Sequence, residues 1–97
     1  LTLTIDKDLQ KYAERLLRGK RGSIVALIPK TGEVLVFASS PTYNPNLLMK
    51  RNHRTYYHQL IINPDKPLFN RALSAKYPPG STFKVANALV GLKFGLL

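Results

Sequence analysis

The chain has 97 residues with no Cys, no Trp, one Met and two His, and 15 Lys and Arg against 5 Asp and Glu give it a formal charge of +10. That length allows at most one small domain, which would bury only a little over ~60% of the surface of its unfolded chain. A hydrophobic content of 44% excludes a disordered basic tail, and the lack of Cys excludes a disulfide framework and a thiolate metal site. No apolar run approaches the roughly 18 to 20 residues that cross a bilayer, and no signal-peptide pattern opens the chain, so any membrane anchor is expected outside it. Leu1 leads straight into an apolar-alternating segment, and Leu96-Leu97 close without a polar tail. Both ends therefore read as cuts in something longer. The positive charges are scattered over Lys7, Lys11, Arg15, Arg18, Lys20-Arg21, Lys50-Arg51, Arg54 and single sites beyond. A nucleic-acid binder concentrates charge on one face and interleaves aromatics, so a solvated surface, or attraction to an anionic polymer or lipid surface, fits better than nucleic acid.

From Asp6 to Arg18, Ile5, Leu9, Tyr12, Ala13, Leu16 and Leu17 recur at helical spacing and predict an amphipathic helix. Asp6 is its expected N-cap, Asp8 suits the first turn, and Gly19 follows as the stop. Ser23–Ile28 and Glu33–Ser39 are apolar or β-branched almost without a break, and Pro29-Lys30-Thr31-Gly32 between them predicts a hairpin. Continuous hydrophobicity implies that both sheet faces are covered, with helices on each side. Ser40–Lys76, punctuated by Pro41, Pro45, Pro64 and Pro67, reads as a long ordered loop with short helical turns near Asn46–Lys50 and Leu68–Ala75. His53 and His58 fall in it at a spacing poor for metal binding and read as surface loop residues, as does the Tyr56-Tyr57 pair.

Pro78-Pro79-Gly80 forces a non-helical approach, after which Ser81–Phe94 is nearly all apolar and predicts a buried helix. Its exceptions are Ser81 and Lys84, three apart on one face of the first turn. A Ser there is commonly a cap, whereas a first-turn Lys opposes the positive end of the helix dipole. An ammonium held against apolar walls at that end loses affinity for its proton and can act as a base toward a nearby hydroxyl, which Ser81 supplies. Backbone N–H groups at the helix start could meet a developing oxyanion. By spacing alone both readings stand, the cap and the nucleophile–base pair.

Pro79-Gly80-Ser81-Thr82-Phe83-Lys84 is a Ser-x-x-Lys box of the kind found in penicillin-binding proteins and class A β-lactamases. Leu3-Thr4-Ile5-Asp6 with Leu9-Gln10, Pro29 to Leu35, Ser40 to Asn46, and Pro67-Leu68-Phe69-Asn70-Arg71-Ala72 extend the resemblance over the whole chain. Together they resemble the N-terminal part of the transpeptidase domain of a class B penicillin-binding protein. Tyr77-Pro78-Pro79-Gly80 and Pro67 to Arg71 resemble the elongation type, penicillin-binding protein 2. Asn44, where the family generally has Asp, and Val85, where Pro commonly follows the Lys, depart from the pattern without touching Ser81 or Lys84.

The resemblance implies an α/β (α+β) fold: an N-terminal amphipathic helix, a hairpin of the central antiparallel sheet, a long ordered loop and the buried Ser-x-x-Lys helix. Residues 1–97 would be the first portion of one transpeptidase domain, inactive alone. The implied activity is that of a serine D,D-transpeptidase cross-linking peptidoglycan stem peptides, inhibited covalently by β-lactams. Ser81 would be nucleophile and half of the oxyanion hole through its N–H, Lys84 the general base, and no metal or cofactor is implied. Cell-elongation proteins would be partners, and the parent would be anchored in the bacterial cytoplasmic (inner) membrane with this domain on the periplasmic side. A β-lactamase or β-lactam sensor of the same fold, and a basic non-catalytic interaction domain, are the alternatives. The family's Ser-x-Asn and Lys-Thr-Gly motifs lie downstream of the serine. Lys30-Thr31-Gly32 lies upstream, at the expected hairpin tip, and is read as turn structure.

Overall fold

A computed structural model describes residues 1–97. Helix α1 (Lys7–Leu16) leads to strands β1 (Gly22–Leu27) and β2 (Val34–Ser40), then to helices α2 (His53–Ile62), α3 (Arg71–Ser74) and α4 (Lys84–Lys93). Single 3-10 turns stand at Pro45–Met49 and Gly80–Phe83.

Helix α1 forms as its pattern predicts. The Asp6 carboxylate accepts the N–H groups of Asp8 and Leu9 at 3.1 and 3.0 Å, so a donor of the open first turn and its neighbour are satisfied. The hairpin is antiparallel, pairing Gly22 with Ser40, Ile24 with Ala38 and Ala26 with Val36, with a register shift between Ala26 and Leu27. At its tip the N–H groups of Thr31 and Gly32 donate to Ile28 O, and the Ile28 N–H donates to Glu33 O at 2.9 Å. Gly32 sits at φ +78°, where a Cβ is strained, and the Thr31 hydroxyl accepts the Glu33 N–H.

Ala13 and Leu17 of α1 meet Val36 and Ala38 of β2, with Ile24 and Ala26 packed alongside. What fixes α1 there is polar. The Gln10 carboxamide accepts the Phe37 N–H at 2.8 Å and donates to Phe37 O at 3.1 Å, so one side chain satisfies both groups that β2 turns outward at that residue. The Asp6 N–H donates to Leu35 O at 2.9 Å and the Thr4 hydroxyl to Val34 O at 2.6 Å, continuing the same edge. The outer edge of β2 is thus closed by the segment around α1, while β1 pairs with β2 alone.

Three expectations need correction. The face of the hairpin away from α1 is only partly covered: Val25 and Leu27 are 44% and 53% exposed, although the short α3 packs on both strands. Second, Ser40–Lys76 is less irregular than expected, because α2 occupies His53–Ile62 and carries His53 and His58 on a helix surface, both exposed. Its weak amphipathicity hid it: Thr, Ile, Tyr and His are indifferent helix formers, Asn52 makes no capping bond, and Leu60 is its only buried residue. The expected short turns do form, at Pro45–Met49 and Arg71–Ser74.

Third, the helix predicted to be buried is not. Helix α4 has no buried residue, and Val85 and Leu89 are 71% and 62% exposed. The all-round apolar pattern describes a helix that needs cover, and no other segment among these residues supplies it. The dimensions agree. A radius of gyration of 18.0 Å exceeds the ~13 Å of a compact chain this long, and only 7 of the 97 residues are buried.

Replacing Gln10 by Ala in the full-length protein should leave both Phe37 backbone groups without protein partners. The expected outcome is at least tenfold faster hydrogen exchange of the Phe37 amide, a loss of ~1.4 kcal/mol or more of local stability, checked by exchange mass spectrometry.

Candidate active site

The end of β2 is the platform from which the chain reaches Ser81. The Ser40 hydroxyl lies 3.0 and 2.9 Å from Leu17 O and Lys20 O, tying the strand end to the turn after α1. The Ser39 hydroxyl accepts the Arg71 N–H at 2.9 Å, tying the same strand end to the start of α3. Asn70 caps α3, accepting the N–H groups of Ala72 and Leu73.

Arg71 is the one buried charged residue, 7% exposed. Its guanidinium donates through Nη2 to Asp65 O at 2.8 Å and through Nη1 to Lys66 O at 3.3 Å, and lies 5.5 Å from the Phe69 ring centroid. The turn it grips is tight. Asn63 O accepts the Lys66 N–H, Lys66 O accepts the Phe69 N–H, and Lys66 itself adopts φ +51°, a conformation costly for a residue with a Cβ. The Asp65 carboxylate faces outward and makes an exposed ion pair with Arg21 at 3.7 Å.

Beyond α3, Ala75 turns extended, and Pro78-Pro79 lead into Gly80 at φ +64°. That positive φ is open to Gly without strain and swings the chain into the 3-10 turn that carries Ser81. The Lys84 N–H donates to Ser81 O, so the turn runs directly into α4, and Ser81 and Lys84 stand one turn apart as the spacing predicts. The one side-chain hydrogen bond of this turn runs from the Thr82 hydroxyl to Pro79 O at 2.6 Å, which leaves the Ser81 hydroxyl uncommitted. Ser81 and Lys84 are both exposed. The apolar wall expected around Lys84 is therefore not made by these residues.

Lys30, Thr31 and Gly32 occupy the exposed hairpin tip in the turn role expected of them. His53 Nδ1 contacts Lys50 O, and nowhere do three His, Asp or Glu side chains gather as a metal site would require. Tyr56 has a structural task, its phenolic oxygen accepting the Asn44 N–H at 3.0 Å, while Asn44 caps the turn at Pro45–Met49. A hollow of about 570 Å³ between α1, β2 and the loops at Tyr43 and Phe69 does not include Ser81. Residue types marked Ser81 and Lys84 in the sequence. Gln10 and Arg71 stood only within the resembling segments; nothing in their residue type marked their roles, which are bonds to backbone groups outside their own helices.

Residues 22–97 match the family of the penicillin binding protein transpeptidase domain. The peptidoglycan D,D-transpeptidase MrdA of Acinetobacter baumannii is 46% identical over 97 residues, all of this chain and 14% of that protein. The crystal structure of penicillin-binding protein 2 from Pseudomonas aeruginosa superposes with a TM-score of 0.87 at 48% identity, over 98% of this chain and 21% of that one. The penicillin G acyl-enzyme complex of penicillin-binding protein A from M. tuberculosis gives 0.86 at 40% identity, covering 95% of this chain and 23% of its own. The chain thus spans between a seventh and a quarter of these relatives. Matched by that family over residues 22–97 and by a relative 46% identical along its whole length, the chain belongs to the penicillin-binding protein transpeptidase family.

Proposed function

We propose that residues 1–97 are the N-terminal portion of a transpeptidase domain whose parent is a peptidoglycan D,D-transpeptidase of the elongation type. The observation that carries this reading is the Ser81–Lys84 pair, one turn apart where the chain swings through Gly80 into α4. It stands in a chain 48% identical to a penicillin-binding protein 2 of known structure. The Ser81 hydroxyl attacks the carbonyl between the two terminal D-alanines of a stem peptide, and Lys84 Nζ takes its proton. Negative charge then builds on the carbonyl oxygen, where the Ser81 N–H is one donor and a second comes from outside this chain. Collapse of the intermediate expels D-alanine, which receives a proton as it leaves, and gives the acyl-enzyme. The amino group of a neighbouring stem resolves it and regenerates Ser81. A β-lactam enters the same path and stops at the acyl-enzyme, as the M. tuberculosis relative is described with penicillin G.

Lys84 has to be deprotonated to serve, and in this scheme the remainder of the domain supplies the apolar cover that α4 lacks here. The same cover excludes water from the acyl-enzyme. The parent works on the outer side of the bacterial cytoplasmic membrane with its anchor in a segment other than these residues, none of whose helices is long and apolar enough to span a bilayer. Cell-elongation proteins are its partners in this reading.

Three outcomes test it in the full-length parent. Ser81→Ala abolishes covalent labelling by fluorescent penicillin while the melting temperature holds; labelling that persists at another serine overturns the assignment. Lys84→Arg keeps the charge but removes a group able to release its proton at working pH. Its acylation rate should drop well over tenfold, more than ~1.4 kcal/mol of barrier, as followed by stopped-flow or gel fluorescence. Thr31→Ala should acylate like the wild type, whereas Gly32→Val should lower thermal stability through the strained turn, by about 1 kcal/mol or more. Collapse of acylation in a stable Thr31→Ala protein would place the hairpin tip in the active site.

A further inference from the structure

We propose that Arg71 is a positioning residue for acylation: by holding the turn at Asp65–Lys66 against the start of α3, it sets the direction from which the chain delivers Ser81. The proposal deepens the reading above and rests on Ser81 being the nucleophile.

Arg71 joins three pieces. Its guanidinium takes the carbonyls of Asp65 and Lys66, its side chain lies along Phe69, and its backbone N–H takes the Ser39 hydroxyl at the end of β2. The Ser39 hydroxyl also lies 3.5 Å from Phe69 O, so sheet, turn and α3 meet at one point. Nine residues lie between Arg71 and Ser81, and Pro78-Pro79 stiffen the path. Helix α3 is the element of the Ser81 arm that packs on both strands, whereas α4 packs chiefly on its own opening turn. Within this chain the orientation of the Ser81 arm is therefore set at Arg71.

The chemistry of the contact favours orientation over stability. A buried guanidinium loses its hydration, and here no carboxylate compensates it, since the Asp65 side chain faces Arg21. A Met or Leu would fill much the same volume without that loss. What neither can do is hold two successive carbonyls in a planar fork. Those two carbonyls belong to the turn in which Lys66 is kept at positive φ, so the fork also holds a backbone conformation that would otherwise relax. A nucleophile displaced by a fraction of an ångström forfeits much of the advantage of prepositioning.

The test uses the full-length parent with fluorescent penicillin, separating the dissociation constant of the non-covalent complex from the first-order acylation rate, beside melting temperature. In Arg71→Met the acylation rate should fall at least tenfold, with the dissociation constant changed less than threefold. Arg71→Lys, which keeps charge but loses the fork, should fall three- to tenfold. Millimolar methylguanidinium should restore at least threefold of the rate in Arg71→Met and leave the wild type unchanged. A folded Arg71→Met protein acylating within twofold of wild type, or one losing rate only in proportion to its unfolded fraction, overturns the proposal. If Arg71→Met does not fold, Ser39→Ala decides: it unties the Arg71 N–H and should slow acylation at least threefold, and a folded Ser39→Ala protein within twofold of wild type overturns it. Failure of the underlying reading shows separately, as a wild type that does not label or a Ser81→Ala protein that does.

Discussion

The architecture depends on one carboxamide. Gln10 both accepts from and donates to Phe37, as a neighbouring strand would, and thereby docks a helix on the edge of a sheet through the sheet's own hydrogen-bonding pattern. The geometry of that bond pair has little slack, because a carboxamide presents its donor and acceptor in one plane. Once it forms, Ala13 and Leu17 fall opposite Val36 and Ala38, and the apolar contact follows. Gln10 Nε2 also reaches Glu14 one turn on, which steadies the side chain in the rotamer the strand needs. The small core alone would permit α1 to slide along the hairpin; the amide pair removes that freedom.

From this dock the order propagates along the chain through hydroxyls. Ser40 binds the carbonyls that close the turn after α1, and Ser39 binds the start of α3. Two adjacent serines at the end of one strand thus point to opposite sides and hold the two arms of the molecule, one leading back to α1 and the other on to Ser81. Alternation along a strand makes this possible, since neighbouring side chains leave on opposite faces.

What could be read from the sequence is what depends on local pattern. Asp6, the helical spacing from Ile5 to Leu17 and the Pro-Lys-Thr-Gly turn each determine their own neighbourhood, and each forms as expected. The one-turn spacing of Ser81 and Lys84 was legible because it is a local property of the chain. Helix α2 was not, because its sequence is indifferent as a helix and a single side chain, Leu60, is buried from it. What covers α4 was not legible for a different reason: periodicity reports how much apolar surface a helix has, and says nothing of whether the covering surface lies in the same 97 residues. The roles of Gln10 and Arg71 escaped because each acts on backbone carbonyls or amides, which every residue possesses and no sequence distinguishes.

The closed edge of β2 makes the hairpin a one-sided surface for growth. A β-strand can be extended wherever its outward N–H and C=O groups are free, and on the β2 side the C=O of Leu35 and both groups of Phe37 are already engaged by Asp6 and Gln10. On the β1 side nothing is bonded beyond β2 itself. Any strand joining this sheet, from the same polypeptide or another, is thereby directed to β1. The addition has a polarity written into it by a glutamine on the far side.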